Sequence, residues 1–191
     1  AGGEAIVDGH DITDEPAVDA LVSSVIAKWG RIDILINNAG ILRDKSFAKM
    51  ETDDFRKVLE VHLMGSVNCT KAVWPHMAEA GYGRILMTSS SSGIYGNFGQ
   101  TNYAGAKAGI PGMVRTWAME LKKAGIPANA VIPVAATAMT ATVPYFAAAV
   151  EAEEKGEAMP DFFRHDLGFG TSDDVSGLIA YLASDAASAV T

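Results

Sequence analysis

The sequence is poor in cysteine, in histidine and in long apolar runs, and each shortage excludes a class of protein. Its single cysteine, Cys69, permits no internal disulfide bond, which fits a reducing compartment, and we predict a cytoplasmic location. The four histidines show no spacing typical of metal ligands, so no catalytic metal is expected. No apolar run approaches the ~20 residues of a membrane helix, and no signal peptide is recognisable at the start.

Positive charge is also scarce, since 15 lysines and arginines stand against 23 acidic residues for a formal net charge of -8. This balance disfavours nucleic acid and anionic membrane surfaces as partners. What the sequence does have is apolar residues, which make up 49% of the 191 positions. That share is enough to build one domain around a core of its own.

Short β-prone apolar runs alternate with longer helical patterns along the chain. The predicted strands are residues 5–7, 32–36, 83–88 and 128–132, and the predicted helices are residues 15–29, 52–77 and 101–124. Buried strands joined through helices indicate a parallel sheet covered on both faces. We therefore predict an α/β fold, a doubly wound Rossmann-type sheet forming a single domain over residues 1–191. Oxygen-bearing and acidic residues at 52–54 and 171–174 mark helix starts.

Polar, small or proline residues follow each predicted strand, at the edge where a doubly wound sheet binds its ligand. They are Asp11 and Ile12, residues 37–40, residues 89–92 and residues 133–140. Turns prefer the same residue types, so composition alone leaves an ordinary set of turns as an equal alternative to a binding edge.

A tyrosine and a lysine, Tyr103 and Lys107, are four residues apart in a helical pattern and therefore share one helix face. A neighbouring ammonium favours the phenolate, which makes Tyr103 a candidate general acid/base. Ser90, at the end of a predicted strand, could donate a hydrogen bond to a substrate oxygen. Taken alone, the tyrosine–lysine pair fits a solvated helix face better than a catalytic site.

Four segments, in this order and spacing, resemble the successive motifs of the classical short-chain dehydrogenases/reductases. They are Asn-Asn-Ala-Gly at 37–40, residues 83–90, residues 96–107 and residues 133–140. The likeness runs over residues 11–183 and implies an oxidoreductase with NAD or NADP as cofactor and a small molecule as substrate. Hydride transfer between the nicotinamide and a substrate carbon would interconvert a secondary alcohol and a ketone.

The resemblance also implies a role for each matching residue. Tyr103 would exchange the proton of the substrate oxygen, Ser90 would orient that oxygen, and Lys107 would hold the nicotinamide ribose and lower the pKa of the tyrosine. The implied cofactor contacts are Asp11 and Ile12 at the adenine, Asn37, Ala39 and Gly40 along the cofactor, and Pro133 and Thr140 near the nicotinamide.

The chain departs from the family pattern before Asp11, at His62 and at Pro133-Val134, where the family commonly has Pro-Gly. No glycine-rich pyrophosphate turn precedes Asp11, so we expect the family's first βαβ unit and its last strand to be missing from this chain. The residue that selects between NAD and NADP lies in that unit, and the choice stays open. His62 stands where the family often has an asparagine. It is interpreted either as a core histidine bonded to a backbone carbonyl or as a replacement for that asparagine in a catalytic proton relay.

Residues 37–47, 61–63 and 87–100 resemble the 3-hydroxyacyl-CoA dehydrogenase domains of type 2 multifunctional enzymes and their bacterial single-domain relatives. This likeness implies fatty-acid metabolism, with a 3-hydroxyacyl thioester or another bulky alcohol as substrate and residues 140–168 as a substrate lid. The alternatives are a 3-oxoacyl-carrier-protein reductase and a non-catalytic, truncated member that acts as a binding subunit. Family members usually pair through two long helices, here near 58–77 and 104–124, so a homodimer or homotetramer is expected.

Overall fold

Three short strands alternate with helices in the computed structural model, which describes residues 2–137 and 139–191. Ala1 of the predicted domain and Ala138 of the predicted cofactor segment 133–140 lie outside the described residues. The strands are β1 Ile34–Asn37, β2 Arg84–Thr88 and β3 Ala128–Val131. The α-helices are α1 Glu15–Trp29, α2 Thr52–Leu59, α3 Gly65–Ala80, α4 Ser92–Tyr95, α5 Thr101–Glu120, α6 Ala147–Lys155 and α7 Ser172–Ala183.

The strands form one parallel sheet in the order β1-β2-β3. Ile34 pairs with Arg84, and Ile85 pairs with Ala128, so the three strands run side by side in register. Because all three are parallel, their carboxyl ends at Asn37, Thr88 and Val131 meet at the same edge of the sheet. The segments that carry the predicted site residues therefore leave the sheet together.

Helices cover both faces of the sheet, as predicted from the buried strands. On one face Ile85 and Met87 of β2 pack in a core with α1, α3 and α5; its buried helix residues are Val18, Val22, Val73, Met77, Ile110 and Val114. On the other face Leu86 and Val131 pack against Leu182 of α7 and against Ala187. Successive residues of β2 thus point to opposite cores, which confirms the α/β fold class.

The strand predicted at residues 5–7 does not form. Residues 2–10 have no regular structure, Val7 is fully exposed and Ile6 is 44% exposed. Within the described residues no segment offers backbone hydrogen bonds to residues 5–7. A strand without a ladder partner leaves its backbone groups to water, so the apolar pattern alone is not enough to form one.

The long helix predicted over residues 52–77 runs on to Ala80 and contains a π-helical turn, Glu60–Met64, between α2 and α3. A π turn inserts one residue into the α-helical ladder and is frequent at functional sites. Its buried member is His62, at 2% exposure. The insertion therefore falls on the histidine that the family comparison singled out.

The chain beyond β3 makes a long excursion whose two ends are joined. The Gly170 amide donates to the Val134 carbonyl oxygen at 2.8 Å, and the Ala136 amide donates to the Gly170 carbonyl oxygen at 2.8 Å. Between these bonds lie α6, several single helical turns and an aromatic cluster in which Phe146 and Phe163 pack on the buried Phe169. No helix among residues 2–137 and 139–191 combines the length and apolarity needed to cross a membrane.

Candidate active site

A cavity of about 560 Å³ opens at the carboxyl-terminal edge of the sheet. Seven of the residues predicted for the site line it: Gly40, His62, Ser90, Tyr103, Lys107, Pro133 and Thr140. They come from five segments: the chain after each of the three strands, the π turn with His62, and the first two turns of α5. The structure thus brings together the residues for which the sequence implied chemistry.

Tyr103 and Lys107 lie one turn apart on α5, and both are buried, at 9% and 4% exposure. The Lys107 ammonium donates to the Thr88 carbonyl oxygen at the end of β2 and stands 5.6 Å from the centre of the Tyr103 ring. This burial distinguishes the pair from a solvated helix face. An ammonium has three protons to donate, and the Thr88 carbonyl takes one of them.

The electrostatic setting of Lys107 favours its neutral form more than water would. Burial lowers the pKa of its ammonium to about 8, because an apolar surrounding penalises the charged state. At neutral pH the group still carries its charge. Lys107 is therefore a cation held in a partly desolvated position, where it acts more strongly on a bound group than a surface lysine does.

Opposing effects act on the Tyr103 phenol. Burial raises its pKa, a hydrogen bond with Ser90 lowers it, and the charge of Asp44 raises it; the net direction is upward. The net direction differs from the lowering that the tyrosine–lysine pair implies, since desolvation outweighs the other influences. A phenol in this state is a proton donor rather than a phenolate until another positive charge or acceptor is present.

Ser90 follows β2 directly, and its neighbours fasten this turn to α5. The Ser89 hydroxyl donates to the Lys107 carbonyl oxygen at 2.8 Å, and the Ser92 amide donates to the Ser90 hydroxyl at 3.2 Å. These bonds fix the distance between the end of β2 and the helix that carries Tyr103. Ser90 and Tyr103 line the same cavity.

His62 packs edge-on against the tyrosine, with ring centroids 5.2 Å apart and an interplanar angle of 84°. Its Nε2 lies 3.1 Å from the Ile41 amide nitrogen and 2.9 Å from the Ile41 carbonyl oxygen, so the backbone serves either tautomer. Gly40 makes this approach possible, because a Cβ there would stand 2.3 Å from the His62 ring. The ring is bonded to the backbone, as the core interpretation predicts, and it also lines the cavity.

One ring nitrogen of His62, Nδ1, is buried without a hydrogen-bond partner among the described residues. Burial, followed by the nearby charge of Lys107, lowers the pKa of His62 to about 4, against the raising effect of the Ile41 backbone bond. The imidazole is therefore neutral at physiological pH. A neutral ring can donate or accept one proton at Nδ1, which leaves the relay interpretation chemically open.

Four predicted cofactor residues do not line the cavity: Asp11, Ile12, Asn37 and Ala39. Asp11 accepts from the amide and hydroxyl of Thr13 and so shapes the turn before α1. The Ile12 carbonyl accepts from Asn68, and the Asn37 side chain donates to Thr70. These contacts tie the loops to α3, and the implied cofactor roles of the four residues stay predictions.

Several lining residues received no role from the sequence. The polar ones include Asn38, Thr88, Asn97 and Gln100, and the apolar ones include Leu42 and Phe169. Val143 and Phe146 also line the cavity and fall within the lid predicted at residues 140–168. Asn38 is bonded to Thr88 across the ends of β1 and β2, at 2.8 Å. The signal that could have found the polar set is its position within the family-like segments. Most of the apolar wall comes from the excursion beyond β3, and Leu42 adds to it from the loop after β1.

Comparisons with known proteins agree with this geometry. A family model described as enoyl-(acyl carrier protein) reductase matches residues 1–191. The peroxisomal multifunctional enzyme type 2 of Drosophila melanogaster is 49% identical over 140 residues, 73% of this chain and 23% of that enzyme. The peroxisomal hydratase-dehydrogenase-epimerase of Saccharomyces cerevisiae is 50% identical over 141 residues, 74% of this chain and 15% of that protein.

A single-activity bacterial protein is matched more completely. The 3-oxoacyl-(acyl-carrier-protein) reductase FabG of Thermotoga maritima is 43% identical over 183 residues, 95% of this chain and 70% of that reductase. Fold and relatives together define the class as an α/β protein with a Rossmann-type parallel sheet. Within that class the chain belongs to the short-chain dehydrogenase/reductase family, which confirms the resemblance. It spans less than a quarter of the length of the two peroxisomal relatives.

Proposed function

We propose that this chain catalyses hydride transfer between NAD or NADP and the carbon of a secondary alcohol or ketone. The observation that carries the proposal is the convergence of Ser90, Tyr103 and Lys107, with His62 behind them, on one cavity at the binding edge of the sheet. Three polar side chains with different proton chemistry meet there around a common space. This is the arrangement that general acid/base catalysis at a substrate oxygen needs.

The residues present fit a nicotinamide nucleotide. The Lys107 ammonium keeps two protons beyond its bond to Thr88, which suits a pair of ribose hydroxyls. Gly40, Pro133 and Thr140 would flank the cofactor from the ends of β1 and β3. The bound nicotinamide supplies the hydride chemistry, and the protein supplies position and charge.

The proton of the reaction belongs to Tyr103. Its phenol, which lines the cavity together with Ser90, gives a proton to the oxygen of a ketone or takes one from that of an alcohol. Ser90 holds the substrate oxygen toward the phenol. Behind Tyr103, the free Nδ1 of neutral His62 is the atom that could pass a proton onward, and this relay role is part of the proposal.

We infer a 3-hydroxyacyl or 3-oxoacyl thioester as the substrate class. The support is an apolar wall from the excursion beyond β3, in which Val143, Phe146 and Phe169 face the cavity, together with the printed names of the relatives. The alternative, a carrier-protein-linked reductase, is favoured by the extent of the match to the bacterial reductases. Residues 140–168 serve as the substrate lid in either case, within a single domain.

We also propose that the chain acts as a homodimer or homotetramer through the outer faces of α3 and α5. Both helices present an open cleft of about 280 Å³ between them, lined by Val67, Trp74 and Trp117 among others. Half-buried tryptophans beside an open cleft are typical of contact surfaces between proteins. The cytoplasmic location stays a prediction, because the named relatives include peroxisomal as well as bacterial proteins.

The test is hydride transfer by the purified protein, followed through nicotinamide absorbance with 3-hydroxyacyl-CoA, 3-oxoacyl thioesters and simple secondary alcohols. Tyr103→Phe should lower kcat by roughly 10²–10⁴-fold, the range of a lost general acid/base. Tyr181→Phe, which removes the hydroxyl of an exposed tyrosine on α7, is the matched control. Near-normal turnover by Tyr103→Phe would refute the mechanism. Cofactor binding without turnover of any substrate would favour the binding-subunit alternative.

A further inference from the structure

A segment beyond β1, residues 43–45, grips the start of α5 immediately before the acid/base tyrosine. Asn102 donates from Nδ2 to the Arg43 carbonyl oxygen at 3.0 Å, and Gln100 donates from Nε2 to Asp44 Oδ2 at 2.7 Å. The Lys45 amide donates to the Gly99 carbonyl oxygen at 2.9 Å. Three consecutive residues thus hold three of the four residues that precede Tyr103; we name residues 43–45 the clamp.

Asn102 connects the clamp directly to Tyr103 by hydrogen bonds. Its side chain is fully buried, and its Oδ1 accepts from the Tyr103 backbone amide at 2.8 Å. That amide lies in the first turn of α5, where backbone donors have no partner within the helix, and Gln100 at the helix start provides no side-chain cap. One buried amide therefore satisfies the tyrosine's backbone and bonds the helix start to the clamp.

Gln100 connects the clamp to the wall of the cavity by hydrogen bonds. A carboxylate only accepts hydrogen bonds, so Asp44 fixes the orientation of the Gln100 amide. The Gln100 Oε1 then accepts from the Ser92 hydroxyl at 2.9 Å and from Asn97 Nδ2 at 3.1 Å. Ser92, Asn97 and Gln100 all line the cavity. A substitution of Asp44 should therefore disturb the hydrogen bonds of the loop that follows Ser90.

The clamp is itself anchored and charged. Lys45 is ion-paired with Asp54 of α2 at 2.9 Å, so the segment is fastened to α2 as well as to α5. The carboxylate of Asp44 also raises the pKa of the Tyr103 phenol through its negative charge. Geometry and charge therefore act on the same catalytic side chain from the same residue.

We propose that residues 43–45 are a positioning clamp for Tyr103, in which Asp44, acting through Gln100, is a positioning residue for the reaction. The inference rests on the proposed function, since Tyr103 is taken as the acid/base. Asp44 does not line the cavity, so its effect on turnover must pass through Gln100, through the start of α5 or through its charge.

Two substitutions of Asp44 separate the effect of its hydrogen bond with Gln100 from the effect of its charge. Asp44→Ala removes both, and kcat should fall roughly tenfold to 100-fold, the cost of misplacing a reacting group, with KM for the cofactor little changed. Asp44→Asn keeps an oxygen acceptor for Gln100, so it should retain most of kcat. For alcohol oxidation, in which Tyr103 takes the proton, Asp44→Asn should also move the acidic limb of the kcat/KM profile to lower pH. The reason is that the negative charge that raises the pKa of Tyr103 is gone. Asp53→Asn, at an exposed carboxylate on α2, is the control.

A second measurement does not depend on turnover. Ultraviolet difference titration of the wild type against Tyr103→Phe reports ionisation of this one phenol, and Asp44→Asn should shift it to lower pH. Exchange of the Tyr103 amide hydrogen should be faster in Asp44→Ala than in Asp53→Asn. If no tested compound is turned over, the result counts against the proposed function, and the titration and the amide exchange still decide whether the clamp exists. Unchanged titration in Asp44→Asn and unchanged exchange in Asp44→Ala would overturn it.

Discussion

Two basic side chains at the site are held where their charged forms are disfavoured. Lys107 is 4% exposed with a pKa lowered to about 8, and His62 is 2% exposed with a pKa lowered to about 4. Burial is the largest cause for both. Groups with strongly perturbed pKa values cluster at functional sites, and holding them there costs folding free energy. At the residue scale, the cavity is therefore a place where stability and chemistry oppose each other.

The cost of Lys107 can be removed by substitution. The folded pKa lies below the unfolded one, so the unfolded chain binds more protons and stability rises with pH between about 8 and 10.5. Below pH 8 the penalty is fully present. Lys107→Met should therefore raise the free energy of unfolding at pH 7 by roughly 1–3 kcal/mol while abolishing most turnover and weakening cofactor binding. Denaturant unfolding beside an exposed control, Lys123→Met, measures the first effect; equal stability of wild type and Lys107→Met would contradict it.

His62 predicts a different pH dependence. Its folded pKa of about 4 lies below the model-compound value of 6.5, so the unfolded chain takes up the proton first as pH falls. The stability that depends on the neutral ring is complete above about pH 6.5 and lost toward pH 4, for a total of roughly 3 kcal/mol. His62→Asn should flatten the unfolding free energy over this window. His165→Asn, at an exposed histidine, should keep the slope, and an identical slope in both variants would refute the assignment.

At the scale of elements, the start of α7 is secured by a reciprocal cap. The Thr171 hydroxyl accepts from the Asp174 amide at 3.2 Å, and the Thr171 amide donates to Asp174 at 2.8 Å. Asp174 is also paired with Arg164 from the excursion. Hydrogen bonds from Arg164 and Thr171 lower its pKa to about 2. The stabilisation that depends on the ionised carboxylate is therefore complete above about pH 3.8 and is lost as the pH falls toward 2.

Removing this cap should cost stability without touching the site. Thr171→Ala should lower the free energy of unfolding by about 1 kcal/mol, the usual value of a lost threonine cap. The helix matters because its Leu182 closes the second core against Leu86. Ser176→Ala, an exposed position within the same helix, should be neutral or slightly stabilising. Thermal unfolding of the two variants tests the difference, and a larger loss in Ser176→Ala would rule out the capping account.

Local signals predicted some elements and missed others for physical reasons. Residues 15–29 form α1 as predicted, because Pro16 favours its first turn and Gly30, with φ 79°, ends it. The predicted strand at 5–7 is wrong, because an apolar run cannot supply its own ladder partner. The π turn at His62 has no local signature in the sequence, and the close approach of its ring to Gly40 appears only in the structure.

The candidate site shows the same division. Spacing and family likeness were enough to propose Ser90, Tyr103 and Lys107 as site residues, and all three line the cavity. The bond between Asp44 and Gln100 joins residues 56 positions apart. A single sequence holds no trace of such a pairing, because both side chains are individually ordinary loop residues. Their role depends on how the ends of β1 and β2 are brought together.

At the scale of the whole molecule, the outer face of α5 carries small exposed residues at helical spacing. Gly105, Ala108 and Gly112 lie on it, and a side chain added at Gly105 or Gly112 would meet nothing within 4 Å. Such a surface costs a single chain about 1 kcal/mol per helical glycine. Close approach of a second copy would explain why the glycines stand there, on a surface of α5 separate from the cleft that Trp117 lines.

The proposed assembly can be tested by filling that face. Gly112→Glu should be harmless to an isolated chain but should block a partner helix, so the mass measured by light scattering should drop to that of the monomer. Gly177→Glu on α7, where an added Cβ also meets nothing within 4 Å, should leave the mass unchanged. An oligomer that survives Gly112→Glu would place the contact elsewhere.

The joined ends of the excursion beyond β3 have a consequence for how such proteins diversify. The bonds between Val134, Ala136 and Gly170 are made by backbone atoms alone, so they place few demands on the intervening sequence. Lengthening a closed loop is also inexpensive, at about 0.6 kcal/mol for each doubling. Residues 141–167 can therefore be exchanged like a cassette while the sheet edge with Ser90 and Tyr103 stays intact. Under the proposed function, such an exchange would change which substrates are admitted and leave the acid/base chemistry at the sheet edge unaltered.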